Sequence, residues 1–214
     1  MTALLSCTLI LVSCGKERNN IYDPETKDYS ADISSVVIDE NAITVYSEVG
    51  NQLWNKNFDS SIDNTVIYDI DDVSGKDMFV TFKDSGEDTG KVFAFNGKGD
   101  SILSILPPKK NIFNDTTTKY FTRSFFLDTV YGASENIVLI WAEVHFFASK
   151  LCIYDLNAEP LGELWNPGHI SEVKVSDLDT DGENDLLVRG FNNDFQYTFQ
   201  LSKNPYFISR IDPL

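Results

Sequence analysis

Three stretches of this chain follow one plan: VIYDIDDVSGKDMFVTF, FFLDTVYGASENIVLIW and VSDLDTDGENDLLVRG. In each, an Asp (Asp69, Asp128, Asp177) closes one apolar run, and eight residues later Asp77, Asn136 or Asp185 opens the next. A second landmark follows 18 residues after Asp77 and Asn136, an aromatic inside a run, Phe95 or Tyr154. Tyr46 starts the pattern one unit earlier, since it precedes Asp69 by 23 residues just as Tyr154 precedes Asp177 by 23. The Asp anchors lie 59 and 49 residues apart, the difference falling in an insertion from Pro107 to Tyr120. Chance does not preserve two offsets across units of unequal length. The chain must therefore stack similar units that bury a core between them.

The runs within each unit are short and rich in β-branched and aromatic residues, as in Ile43-Thr44-Val45-Tyr46, Lys91 to Phe95 and Asn136 to Trp141. Gly, Asn, Asp or Pro bounds each of them, and no stretch has a sustained 3.6-residue period, so the fold class is all-β. Each unit supplies four strands. In the first these are Ile43–Tyr46, Gln52–Asn57, Val66–Ile70 and Met78–Phe82. That is the size of a four-stranded antiparallel propeller blade, and the chain holds about 3.5–4 of them. Ser34 to Ile38 offers one further strand from the N-terminal side. A small closed ring, an open array and a piece of a larger propeller all fit this count, and an open array leaves an edge that must be covered or charged.

Asp177-Leu-Asp179-Thr-Asp181-Gly182-Glu183-Asn-Asp185 is the sharpest chemical signal. Side chains at positions one, three and five, a carbonyl at seven (Glu183) and a carboxylate at nine can wrap a hard cation. Ca²⁺ takes about 6–8 oxygens in flexible geometry. Gly182 permits the turn, and the packed carboxylates repel one another unless a cation neutralises them. Position twelve is Val188, where an EF-hand needs a bidentate Glu, so this is a different kind of calcium loop. A weaker second loop keeps Asp69, Asp71 and Asp77, with Val73 at position five and Asp72 beside it. The third copy keeps only Asp128 and Asn136, which read as turn caps around a metal-free loop.

With Asp-x-Asp-x-Asp-Gly-x-x-Asp before an apolar strand, and Phe93-Ala-Phe95-Asn-Gly-Lys-Gly in another, residues 40–202 resemble the FG-GAP/VCBS family of integrin-like β-propeller repeats. The resemblance implies a propeller whose loops hold calcium and whose loop face binds partners.

Two histidines, His145 and His169, stand 24 residues apart with no nucleophile motif beside either. There is no glycine-rich phosphate loop, Cys-x-x-Cys or HExxH. Trp54, Trp141 and Trp165 recur near strand ends and read as blade packing rather than a sugar platform. Lys+Arg number 17 against 33 Asp+Glu, a net charge of −16 that disfavours nucleic acid as a partner.

The N-terminus is an address. Ala3 to Val12 is apolar but too short to span a bilayer. Leu11-Val12-Ser13-Cys14 resembles a bacterial lipobox, although only Met1-Thr2 precedes the apolar run, where such signals start with positive charge. The expected layout is a signal peptide at 1–13, a tether from lipidated Cys14 to residue 31, and the repeat domain at 32–214. Gly15 after the cysteine favours the outer membrane in the lipoproteins this resembles. Removal of Cys7 and acylation of Cys14 leave Cys152 alone, in an apolar run where a core thiol is expected. The function expected is a non-catalytic cell-envelope module that binds a protein or glycan. The alternatives are a carbohydrate-active hydrolase or lyase and a structural piece joined through an open sheet edge.

Overall fold

The computed structural model describes residues 32–70, 75–83, 86–113, 116–130, 134–144, 148–191 and 206–211, and these form strands joined by turns and short links. The first sheet holds β1 (Ile33–Asp39), β2 (Ala42–Ser47) and β3 (Gln52–Asn57). The second holds β4 (Ile62–Tyr68), β5 (Asp77–Phe82), β6 (Val92–Phe95) and β7 (Ser101–Ile105). The insertion folds into a small hairpin of β8 (Lys110–Asn111) and β9 (Thr116–Thr117). A third sheet comprises β10 (Tyr120–Asp128), β11 (Asn136–Glu143), β12 (Ser149–Tyr154) and β13 (Pro160–Asn166). The last has β14 (His169–Ser176), β15 (Asp185–Phe191) and β16 (Tyr206–Ile211). Every ladder is antiparallel and joins strands adjacent in sequence within its sheet, the meander of a propeller blade.

The all-β, propeller-like array expected from the repeats is therefore present, but the unit boundary moves. Ile43–Tyr46 and Gln52–Asn57 belong to the first sheet, whereas Val66 and Met78–Phe82 belong to the second. Sequence offsets measure the period of a repeat and not its phase. Phase is set by where the chain leaves a sheet, here at Phe58 to Ser61. Ser34 to Ile38 lies in β1 and pairs with β2 instead of closing a ring.

Register repeats in detail. The anchors head equivalent strands: Tyr68 faces Asp77, Asp128 faces Asn136, and Ser176 faces Asp185. The first strand of each of these sheets carries a β-bulge, which leaves Asp63, Arg123 and Ser171 as the extra residues. A second set of bulges sits at the aromatic landmarks, between Val45 and Tyr46, Ala94 and Phe95, and Ile153 and Tyr154.

Three apolar cores separate the sheets in series. Ile33, Ile43, Trp54, Met78 and Phe82 fill the space between the first and second sheets. Phe79, Val92, Phe125, Leu139 and Trp141 lie between the second and third, with the Phe79 and Phe125 rings 5.2 Å apart. Val138, Ile140, Leu151, Ile170, Leu186 and Val188 join the third to the fourth. The middle strands β5, β11 and β12 are buried along their whole length because both faces pack on a neighbour. Four sheets with three cores form an open arc among the described residues.

Polar links reinforce the stack. Trp141 Nε1 donates to the carbonyl of Gly90 at 2.7 Å, tying the third sheet to the second. Buried Glu143 accepts from Thr118 Oγ1 at 2.6 Å and Asn111 Nδ2 at 3.3 Å, pinning the inserted hairpin. Lys150 and Glu163 form an enclosed pair at 2.7 Å, and the Lys150 ammonium sits 5.0 Å from the Trp165 ring centre. All three tryptophans thus serve packing, and Cys152 is a buried core thiol.

Candidate metal centre

The loop joining β14 to β15 contains Thr180 at φ 67° and Gly182 at φ 93°. A Cβ on Gly182 would meet no atom within 4 Å, so the positive φ, and not lack of room, is what calls for glycine there. Folded this way, the loop turns its own amides onto its carboxylates. Asp177 accepts from the Thr180 amide at 2.6 Å and the Gly182 amide at 3.0 Å. Asp185, buried at the head of β15, accepts from Leu178 N at 2.9 Å. Asp179 accepts from Asp181 N at 3.3 Å, and Asp181 from Glu183 N at 2.9 Å.

Asp177, Asp179 and Asp185 each present a carboxylate oxygen within 4.8 Å of the others. Oxygens bound to one Ca²⁺ at roughly 2.3–2.6 Å lie at most about 5 Å apart, so this spacing fits a shared cation. The donors are all hard oxygens, and each carboxylate keeps lone pairs beyond the amide bonds it accepts. Asp181 and Glu183 lie on the same loop outside this trio, with the Asp181 carboxylate turned to the Glu183 amide. Asn184 Nδ2 donates to the Thr129 carbonyl at 2.7 Å, coupling the loop to the third sheet.

The anchor residues share a second, metal-independent role. Asp77 accepts from Ile70 N at 3.0 Å, Asn136 from Val130 N at 3.0 Å and Asp185 from Leu178 N at 2.9 Å. Each is buried and caps the loop that precedes its strand. Of the weaker second loop, Asp69 follows β4 and Asp77 opens β5, while Asp71 lies outside the described residues. Cys14 and His145 also lie outside them. His169 starts β14 with its ring 4.7 Å from that of Phe191, and its pKa is lowered by partial burial and then by the charge of Arg123.

Lys83, Thr122 and Arg123, which no sequence motif singles out, line a cavity of about 480 Å³ beside β4, β10 and β14. No motif marks it, because the bulged residues Asp63, Arg123 and Ser171 have three different chemistries.

No family model and no curated protein matches the chain. Solved structures do match. A lead-soaked crystal of BBS1N in complex with ARL6DN has TM-score 0.50 and 10% identity, covering 78% of this chain and 53% of that one. The mercury-soaked crystal of the same complex gives TM-score 0.50, 9% identity, and coverages of 78% and 54%. The chain thus spans about half the length of the structures it matches. Those neighbours are β-propeller domains, and at this identity the likeness concerns fold alone. By its own sheets and by these neighbours, the chain is an all-β, propeller-like array of antiparallel blades.

Proposed function

We propose that this chain is a calcium-stabilised, non-catalytic interaction module of the bacterial cell envelope, anchored by lipid on Cys14 and binding a protein or glycan. The observation that carries it is the convergence of Asp177, Asp179 and Asp185 on one loop of a propeller-like blade. Calcium there offsets the mutual repulsion of the trio and holds β14 and β15 in register at an end of the arc. The fold supports the interaction role, since the matched propeller domain BBS1N is described in complex with a partner, ARL6DN.

The test is thermal unfolding of the purified chain in millimolar calcium and in chelator. Calcium bound to the folded state alone, at the affinity of extracellular modules, stabilises by on the order of 1 kcal/mol. Chelation should therefore lower Tm by about 2–4 °C. Asp179 is the informative position, because it is the exposed member of the trio. Asp179→Asn should remove the calcium response and hold or slightly raise the chelated Tm, since it takes away one of the repelling charges, whereas Asp185→Asn also weakens the cap on Leu178. Magnesium should substitute poorly, as it demands tight octahedral geometry. Equal melting curves with and without chelator would sink the calcium assignment. For the anchor, Cys14→Ser should move the protein from the membrane fraction to the soluble one, and a variant that still pellets with membranes refutes lipidation there.

A further inference from the structure

Asp63, Arg123 and Ser171, the extra residues at the bulges of β4, β10 and β14, line the same cavity. Bulges re-aim side chains, and here three successive sheets turn one each into a common space. The volume, about 480 Å³, lies in the range of small-ligand sites, roughly 300–1,000 Å³. Phe121, Ile140, Ile170 and Val173 give it an apolar lining. Two cations, Lys83 and Arg123, also line it, and neither lies within ion-pair distance of a described carboxylate. Glu172 faces the same space but is engaged by Lys174 at 3.4 Å and Arg189 at 3.0 Å. Asp63 is the remaining carboxylate of the lining.

In a chain with 33 acidic and 17 basic residues, a cavity lined by two cations that make no close ion pair with a described carboxylate stands apart from the field of the whole molecule. The charge of Arg123 is felt by His169, whose pKa it helps to lower, so its field crosses from β10 to β14.

We infer that this cavity binds an organic carboxylate with an apolar body. The Arg123 fork and the Lys83 ammonium take the carboxylate. The apolar body lies on Phe121, Ile140 and Ile170. That lining disfavours a fully hydrated anion such as phosphate. This inference names a ligand class for the interaction module and rests on that reading.

Calorimetric titration of the whole chain tests it with 3-phenylpropionate, its amide, a short peptide ending in a free Phe carboxylate, that peptide amidated, and inorganic phosphate. Both carboxylates should bind saturably, and neither amide should. The tighter of the two tells a free acid from a protein C-terminus, and either result supports the site. Arg123→Gln and Lys83→Gln should each weaken binding about ten-fold, the loss of one charge-assisted hydrogen bond. Arg123 and Lys83 are exposed, so these variants should keep the parent melting curve, and Arg123→Lys should restore part of the affinity. Amides that bind as well as acids, phosphate that binds as well as either, or undiminished binding by both charge variants would overturn the inference. So would binding that depends on Asp63 and is lost in Asp63→Asn alone. Turnover of the acid would sink the non-catalytic reading while leaving the ligand class in place. Absence of binding with the calcium response intact would sink only this inference.

Discussion

After each aromatic landmark the chain reverses through one turn written in three spellings: Ser47 to Asn51, Asn96 to Asp100 and Asp155 to Glu159. The first residue's amide donates to the carbonyl of the last, and its side chain accepts that residue's amide, from Asn51 to Ser47, Asp100 to Asn96 and Glu159 to Asp155. The fourth position is left-handed in all three, Gly50 at φ 79°, Gly99 at φ 83° and Ala158 at φ 60°. An L-residue there costs roughly 1–2 kcal/mol, partly offset by a less flexible unfolded chain. Ala158 tolerates this because its methyl is buried in the core between the second and third sheets. The other two positions differ only in surroundings. A Cβ on Gly50 would meet nothing within 4 Å, whereas one on Gly99 would lie 2.9 Å from Cγ of Trp54. Gly50→Ala should therefore cost about 1 kcal/mol or less, and Gly99→Ala clearly more, since the Trp54 ring must shift out of the first core. Urea titrations of the two variants measure the difference. Equal midpoints would mean the indole yields freely.

At the scale of elements, the capping anchors make a matching comparison. Val130 is buried and its amide bonds only Asn136 Oδ1 among the described acceptors, so Asn136→Ala should orphan that donor and cost about 1–3 kcal/mol. Asn136→Asp keeps the acceptor used at the equivalent Asp77 and Asp185 and should cost less. A smaller loss for Ala than for Asp, by the same titration, would refute the shared cap. These anchors were legible in the sequence because a cap needs one residue type at one offset, and so were the aromatic landmarks. The trio at Asp177, Asp179 and Asp185 was legible for the same reason, as its ligands are local along the chain. The boundary between units was not, because the link at Phe58 to Ser61 is written in the same kind of turn residues, Asp and Ser, that end strands within a sheet. The cavity was hidden more deeply. It depends on register slips in β4, β10 and β14 that place side chains from distant segments together, and a slip fixes geometry without fixing residue type.

For the whole molecule, three cores in series make stability a sum of neighbour terms, as in a solenoid, so damage should stay local. Leu186 is fully buried in the core shared by the third and fourth sheets, and Ile43 in the core shared by the first and second. Truncating either to Ala removes comparable apolar volume and should cost about 2–5 kcal/mol of local stability. In an arc the two losses act at opposite ends. Leu186→Ala should speed amide hydrogen exchange in β14 and β15 and leave β2 and β5 protected. Ile43→Ala should do the reverse, loosening β1 to β3 first. The middle sheets, fixed on both faces and stapled by the Trp141 bond to Gly90, should exchange last in both variants. A ring closed through the first and fourth sheets would behave differently, because each terminal sheet would have a second buried face and either substitution would loosen both ends together. Exchange that accelerates uniformly in both variants would thus exclude the open arc, whereas exchange graded from the mutated end supports it.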